Sequence, residues 1–216
     1  MAKRDTYDEK MAVTRQAFLD AAFELFKEKG IEAVSLDSIA KKSGYGIATL
    51  YRHFTNKLNL VVELASQKWE NYIAAYNGTV SAERIAAMSG GEYMAFYLES
   101  FINLYRNHKD ILRFNYDLNS FLRKEEHDAE QLKSYMKLVD TLGTGFHDLY
   151  ERGMRDGTLN TDIPEKTMFS STFHIMLAAV TRYAVGLVYV FEGEVDPEAE
   201  LIMLKDMILR EFVNRT

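Results

Sequence analysis

Only two prolines, Pro164 and Pro197, occur in the 216 residues, and both fall late. Proline removes a backbone donor and ends helices. On that count nothing forbids long helices between residues 1 and 163. The glycines collect where helical patterns stop: Gly30, Gly44 and Gly46, Gly90 and Gly91, Gly153 and Gly157, Gly193. Helical spacing between these stops, with no strand-rich segment, no internal repeat and no low-complexity tract, predicts an all-α fold. Both prolines sit near expected helix starts, where the lost N–H costs nothing. An apolar fraction of 47% with 27% charge is that of a folded globular chain, and this length can bury a sizeable core in one domain or two small ones.

Apolar residues at Phe18, Ala22, Leu25 and Phe26 predict a helix over about 11–29, with Lys27, Lys29 and Gly30 at its end. Ser35 can cap a short helix that begins at Leu36 and carries Asp37 at its positive end. Gly44 allows a tight left-handed turn, and a further helix holding Leu50, Tyr51 and Phe54 follows from near Gly46. Thr55-Asn56 caps a long fourth helix from Lys57. Two short helices joined through a glycine turn make a helix-turn-helix pattern. Packing of Leu36, Ile39, Ala40, Leu50 and Phe54 on Phe18, Ala22 and Phe26 would project Tyr45, Ile47, Ala48, Thr49, Arg52 and His53 outward. Taken alone, the pattern also fits an αα-hairpin in any helical protein.

The remaining helices are expected at about 57–77, 92–107, 109–124, 127–153, 165–191 and 196–214, with a connection over 78–91 that has room for a short helix. No glycine-rich phosphate loop and no GxSxG serine is present. The histidines His53, His108, His127, His147 and His174 lack metal-pair spacing, and there is no cysteine. The expectation is therefore no enzyme activity, no catalytic residue, no metal and no cofactor. Sixteen of 27 aromatic residues lie between Tyr93 and Phe191, including Tyr189 and Phe191 at the end. Most read as bundle core, yet buried tyrosine hydroxyls want partners that a ligand can supply. The stretch from Ile175 to Phe191 is apolar on most faces, and the last helix adds Leu201, Leu204, Ile208, Leu209 and Phe212. Such helices ask for burial on two sides.

Residues 1–57 carry ten Lys and Arg against eight Asp and Glu, whereas the rest carries sixteen against twenty-four. A mildly basic head thus precedes an acidic body. No apolar stretch is long enough to span a membrane, and the first ten residues lack the apolar core of a signal peptide. These features predict a cytoplasmic protein.

The run from Phe26 to Gly44, FKEKGIEAVSLDSIAKKSG, and the run from Thr49 to Lys57, TLYRHFTNK, with Leu60 beyond, resemble the DNA-binding domain of the TetR family of transcriptional regulators. The likeness spans roughly residues 11–64, and no motif beyond about residue 70 matches. It implies that Tyr51 and Lys57 contact phosphate, which positions a protein without selecting sequence. It implies that Tyr45, Gly46, Ile47, Ala48 and Thr49 face bases, with Arg52 and His53 following. Ile47 and Ala48 offer apolar contact only, Thr49 can donate or accept, and Arg52 suits guanine or phosphate. At Asp37, where some members place a basic base-reading residue, this chain has an acid. The resemblance further implies a small-molecule pocket in the helical body, for which Phe101, Tyr105, Phe114, Leu118, Phe146, Phe173 and Met176 are the candidate lining. It also implies a homodimer formed by the last two helices.

The resulting expectation is a helix-turn-helix DNA-binding domain over residues 1–57 and a helical ligand-binding and dimerisation domain over 58–216. The function expected is a repressor released from a palindromic double-stranded operator by a small apolar or aromatic effector. A helical enzyme and a helical adaptor without DNA binding are the alternatives.

Overall fold

The computed structural model describes residues 2–160, 162–187 and 196–214, with side chains from Tyr7 onward. Among the described residues the elements are ten helices: α1 (Ala2–Lys29), α2 (Leu36–Ser43), α3 (Ile47–His53), α4 (Lys57–Asn77), α5 (Ala82–Ala87), α6 (Gly90–Asn107), α7 (Lys109–Lys124), α8 (Lys133–Asp156), α9 (Glu165–Ala184) and α10 (Pro197–Phe212). An isolated antiparallel bridge joins Leu159 and Val213. The chain forms two compact units. The head takes Met1–Lys68 and Phe114–Met136, and the body takes Trp69–Arg113 and Lys137–Thr216.

The head follows its local signals. Gly30 ends α1 at φ 77°, its N–H donating to the Phe26 carbonyl at 2.8 Å. The Ser35 side chain accepts from Ser38 N at 3.2 Å and opens α2, and Gly44 closes it at φ 80°. Phe18, Ala22, Phe26, Ile39, Ala40, Leu50 and Phe54 are buried together, and the Phe18 ring meets Phe54 edge-on at 6.4 Å. Two features depart from expectation. α1 begins at Ala2 rather than near residue 11. The core also extends well past residue 57, through Leu60, Val61 and Leu64 of α4 to Phe114, Leu118 and Phe121 of α7. The Phe114 ring stacks on Phe26 at 6.1 Å and stands edge-on to Phe23 at 5.7 Å. One long helix and two short ones bury too little apolar surface alone, so the head recruits the apolar stripe of α7.

In the body, Ser89 and Glu92 form a capping box that starts α6. Gly90 and Gly91 follow, both buried. A Cβ on Gly90 would lie 2.1 Å from the Gly153 Cα, and one on Gly153 would lie 2.2 Å from the Leu159 side chain. Glycine is required here because two backbones touch. The Asp156 carboxylate accepts from Gly90 N, and the Thr158 hydroxyl accepts from Gly91 N, each at 2.8 Å.

α8 starts at Lys133 rather than 127, because Asp128 and Gln131 each bond the other's backbone N–H through their side chains and hold a turn there. α9 ends at Ala184, before Gly186 at φ 78°. The expected continuation to residue 191, with Tyr189 and Phe191, lies outside the described residues. Asp196 caps α10 by accepting from Glu198 N at 2.9 Å, with Pro197 in the first turn. α6, α9 and α10 pack on one another through buried Leu98, Met168, Thr172, Met176, Val180, Leu201 and Ile208. Ile175, Met203 and Met207 point outward and are about half exposed, and Leu204 is half-buried. No described helix is long and apolar enough to cross a membrane.

Candidate nucleic-acid interface and internal cavity

The turn between α2 and α3 presents one continuous surface. The Tyr45 N–H donates to the Ala40 carbonyl at 3.3 Å, which holds the turn against the end of α2. The Tyr45 ring lies 5.6 Å from Phe18 and remains partly exposed. Gly46 opens α3 with extended backbone, φ −76° and ψ 151°. Tyr45, Gly46, Ala48, Tyr51 and Arg52 are exposed, Thr49 is half-buried, and the Arg52 guanidinium donates to the Thr49 hydroxyl at 3.1 Å.

Three of the expected surface residues are partly taken up by the head itself. Ile47 packs against the core. His53 turns its ring inward, 5.7 Å from Phe18, and its Nε2 is buried without a hydrogen-bond partner. Burial, and then the nearby cations Arg15 and Arg52, hold its pKa below the usual imidazole range. Its carbonyl accepts from Arg15 at 2.7 Å, a bond that ties the end of α3 to α1. Lys57 donates to the Glu32 carbonyl at 3.2 Å and lies 5.6 Å from the Phe121 ring. Burial lowers its pKa, an effect opposed by Glu125 and Glu32. Asn56 caps α4 by accepting from Asn59 N at 2.9 Å, so the preceding N–H groups stay at the open helix end.

The body encloses a cavity of about 240 Å³. Trp69, Tyr72 and Tyr76 supply one wall from α4, Tyr93, Phe96, Tyr97, Ser100 and Phe101 another from α6, Phe146 comes from α8 and Phe173 from α9. Among the described residues, no Lys, Arg, His, Asp or Glu lines it. Tyr72 donates to the Ser100 carbonyl. Tyr76 donates to the Phe96 carbonyl at 3.1 Å, with its pKa pushed up to about 12 by burial. The Ser100 hydroxyl donates to the Tyr97 carbonyl at 2.6 Å. The Tyr97 hydroxyl is buried and has no partner. Burial drives its pKa upward, and the neighbouring Thr172 side chain opposes this. The Thr172 hydroxyl donates to the Met168 and Phe169 carbonyls at 2.8 and 3.0 Å, and its lone pairs stay on the side chain that acts on Tyr97.

The model of the bacterial regulatory proteins of the tetR family matches residues 18–64, which hold the helix-turn-helix and the start of α4. Over those residues the chain is similar to the TetR family. An HTH-type transcriptional regulator of Staphylococcus aureus strain USA300 is 25% identical over 182 residues, covering 80% of this chain and 91% of that one. A transcriptional regulator from Saccharomonospora viridis in complex with choline superposes with a TM-score of 0.72 at 14% identity, over 94% of this chain and all of that one, 100%. The regulator FadR from Bacillus subtilis, in complex with stearoyl-CoA, gives 0.67 at 17% identity, over 90% and 97%. At these identities the solved structures establish the fold, an N-terminal helix-turn-helix and a helical C-terminal domain. The TetR family is one of transcriptional regulators, not enzymes.

The expected cavity residues divide. Phe101, Phe146 and Phe173 line the cavity. Tyr105 and Met176 are buried but do not line it. Phe114 and Leu118 belong to the head core instead. Unanticipated are the walls from α4 and the start of α6. Their spacing was a usable signal: Trp69, Tyr72 and Tyr76, and Tyr93, Phe96, Tyr97 and Ser100, each fall on one helical face.

Proposed function

We propose that this chain is a TetR-family repressor that binds a palindromic double-stranded DNA operator as a homodimer and leaves it when a small apolar or aromatic molecule enters the body. The observation that carries the DNA reading is the exposed run on the α2–α3 turn, with Tyr45, Gly46, Ala48, Tyr51 and Arg52 on one surface. On this reading Tyr45, Gly46, Ala48 and Thr49 face base edges, where Ala48 suits a thymine methyl and Thr49 a donor or acceptor. Tyr51 and Lys57 hold phosphates, and Arg52 serves either role. Ile47 and His53 contribute chiefly by shaping the head.

The dimer reading is supported by the outward apolar side chains Ile175, Met203 and Met207, which a second copy would cover. Two-fold pairing places two heads on half-sites about 34–36 Å apart. The effector reading is supported by the aromatic cavity and by relatives whose structures hold choline and stearoyl-CoA. α4 runs from Lys57 in the head to cavity-lining Tyr76 in the body, so a ligand that favours one placement of α4 shifts operator affinity. Coupling of this kind is typically about 1–3 kcal/mol. On this reading it acts in the cytoplasm, where its DNA is.

Selection of duplexes from a random pool by the purified protein tests this reading. A single palindromic consensus with two equal half-sites is expected. Recovery of no preferred sequence overturns it.

A further inference from the structure

The Arg52 guanidinium is drawn back along α3. Its Nη2 donates to the Thr49 hydroxyl at 3.1 Å, and residues three and four apart on a helix are neighbours on one face. Arg52 therefore shares a face with Thr49 and Ala48, not with Tyr51. Its side chain is exposed, and among the described residues no acid bonds to it. One N–H is spent on Thr49, and the rest of the fork stays open. Of the other residues on this surface, Tyr45, Gly46, Ala48 and Thr49, none is a cation. The next side chain on α3, His53, turns its ring toward Phe18 instead. Phosphate neutralisation has other sources in the head, because Lys41 and Lys42 stand exposed in the last turn of α2.

We propose that Arg52 reads a guanine in each half-site of the operator, and that Thr49 is the positioning residue that aims it. This rests on the DNA-binding reading above and commits it to one base. Guanine shows two acceptors, O6 and N7, side by side in the major groove, and a planar fork of donors meets both. Adenine puts an amino group where O6 would be, so its N–H faces the fork. On the same reading phosphates flank the surface, and reaching one would take the guanidinium away from Thr49. Holding the side chain in place before the duplex arrives also lowers the ordering cost of the contact.

Full-length wild type, Arg52→Ala, Thr49→Val and Thr49→Ser are each used to select duplexes from a random pool, and the selected site is then titrated. The wild type is expected to recover one fixed guanine in each half-site. Replacing that guanine by adenine should weaken binding about 5- to 150-fold, the range of one lost bidentate pair. Replacing it by 7-deazaguanine, which lacks only the N7 acceptor, should weaken the wild type about tenfold, a readout that needs no variant. Arg52→Ala should recover the same palindrome with that position relaxed, and should bind every base there alike, 7-deazaguanine included. Thr49→Val keeps the shape and loses the hydroxyl, so its guanine preference should fall severalfold. Thr49→Ser should restore it.

A wild-type consensus with no guanine in the half-site overturns the proposal. So does a guanine preference that survives Arg52→Ala. An Arg52→Ala protein that weakens on all duplexes alike, with the salt slope flattened by about 0.9, makes Arg52 a phosphate contact and overturns it too. Equal guanine preference in wild type and Thr49→Val overturns the positioning role. If the wild type still selects a palindrome in any of these cases, the DNA-binding reading stands and only the base assignment falls. Recovery of no preferred sequence brings down both.

Discussion

The Arg15 guanidinium on α1 grips the Glu63 carboxylate on α4 in a fork, Nε donating to Oε1 at 2.5 Å and Nη2 to Oε2. The same group lies 4.4 Å from the Phe54 ring and donates to the His53 carbonyl. One cation thus ties together α1, the end of α3 and α4. Both partners are about one-third exposed, so Arg15→Met should cost a modest amount, about 1–2 kcal/mol in denaturant unfolding. DNA affinity should fall as well, because α3 loses an anchor. Unchanged unfolding and unchanged affinity together would show that the fork is decorative.

Lys57→Ala should weaken binding to every duplex alike and flatten the log–log salt slope by about 0.9, the share of one phosphate contact. Lys57→Arg should retain that slope. Titrations of DNA binding at several salt concentrations check both, and an unaltered slope in a folded Lys57→Ala protein removes this residue from the phosphate set.

The pH dependence of the head has a definite sign. His53 has a folded pKa below its ordinary value of 6.5. The unfolded chain therefore takes up the proton first as the solution is acidified. Stability from this residue is present above about pH 6.5 and is lost as pH falls through that value toward the folded pKa. Tm measured from pH 8 to 5 should decline across that window, and His53→Phe should decline less. Equal slopes for the two proteins would exclude His53 as a source.

Gly90→Ala should be severely destabilising, because its methyl group would lie 2.1 Å from the Gly153 Cα. The loss should be about 3 kcal/mol or more, read from thermal unfolding. Gly143→Ala is the matched comparison. It sits inside α8 with nothing within 4 Å of its new Cβ, and should be neutral or stabilising by about 0.5–1 kcal/mol. If the two substitutions behave alike, close packing is not what Gly90 is for.

Met207 is 55% exposed on α10. Under the dimer reading Met207→Glu places an unpaired charge between copies and should yield monomers in sedimentation, with specific DNA binding lost while the head stays folded. A wild-type protein that sediments as a monomer yet binds a palindromic duplex tightly would contradict the dimer.

Local signals carried much of the head. Ser35, Gly30 and Gly44 act within a few residues of themselves, so capping and turn chemistry are readable directly from the chain. Phe114 and Leu118 show where such reading ends. Their spacing marks an apolar face on α7, but spacing alone does not name the partner of that face, which is Phe23 and Phe26 rather than the cavity. His53 is similar: its place in the motif is evident, whereas its inward rotation onto Phe18 depends on tertiary packing. Gly90 and Gly153 were legible as glycines at helix boundaries, but their mutual contact joins segments 63 residues apart in numbering and leaves no local trace.

The resting place of Lys57 has a kinetic meaning. In the free head its ammonium leans on the Glu32 carbonyl beside the Phe121 ring, whereas Lys41, Lys42 and Arg52 stand exposed. On the DNA-binding reading, those exposed cations are the ones that would meet an approaching duplex and steer the encounter. Lys57 must first leave its perch, so on the phosphate-contact reading it joins after arrival. Its influence then belongs to how long the complex lasts, not to how fast it forms.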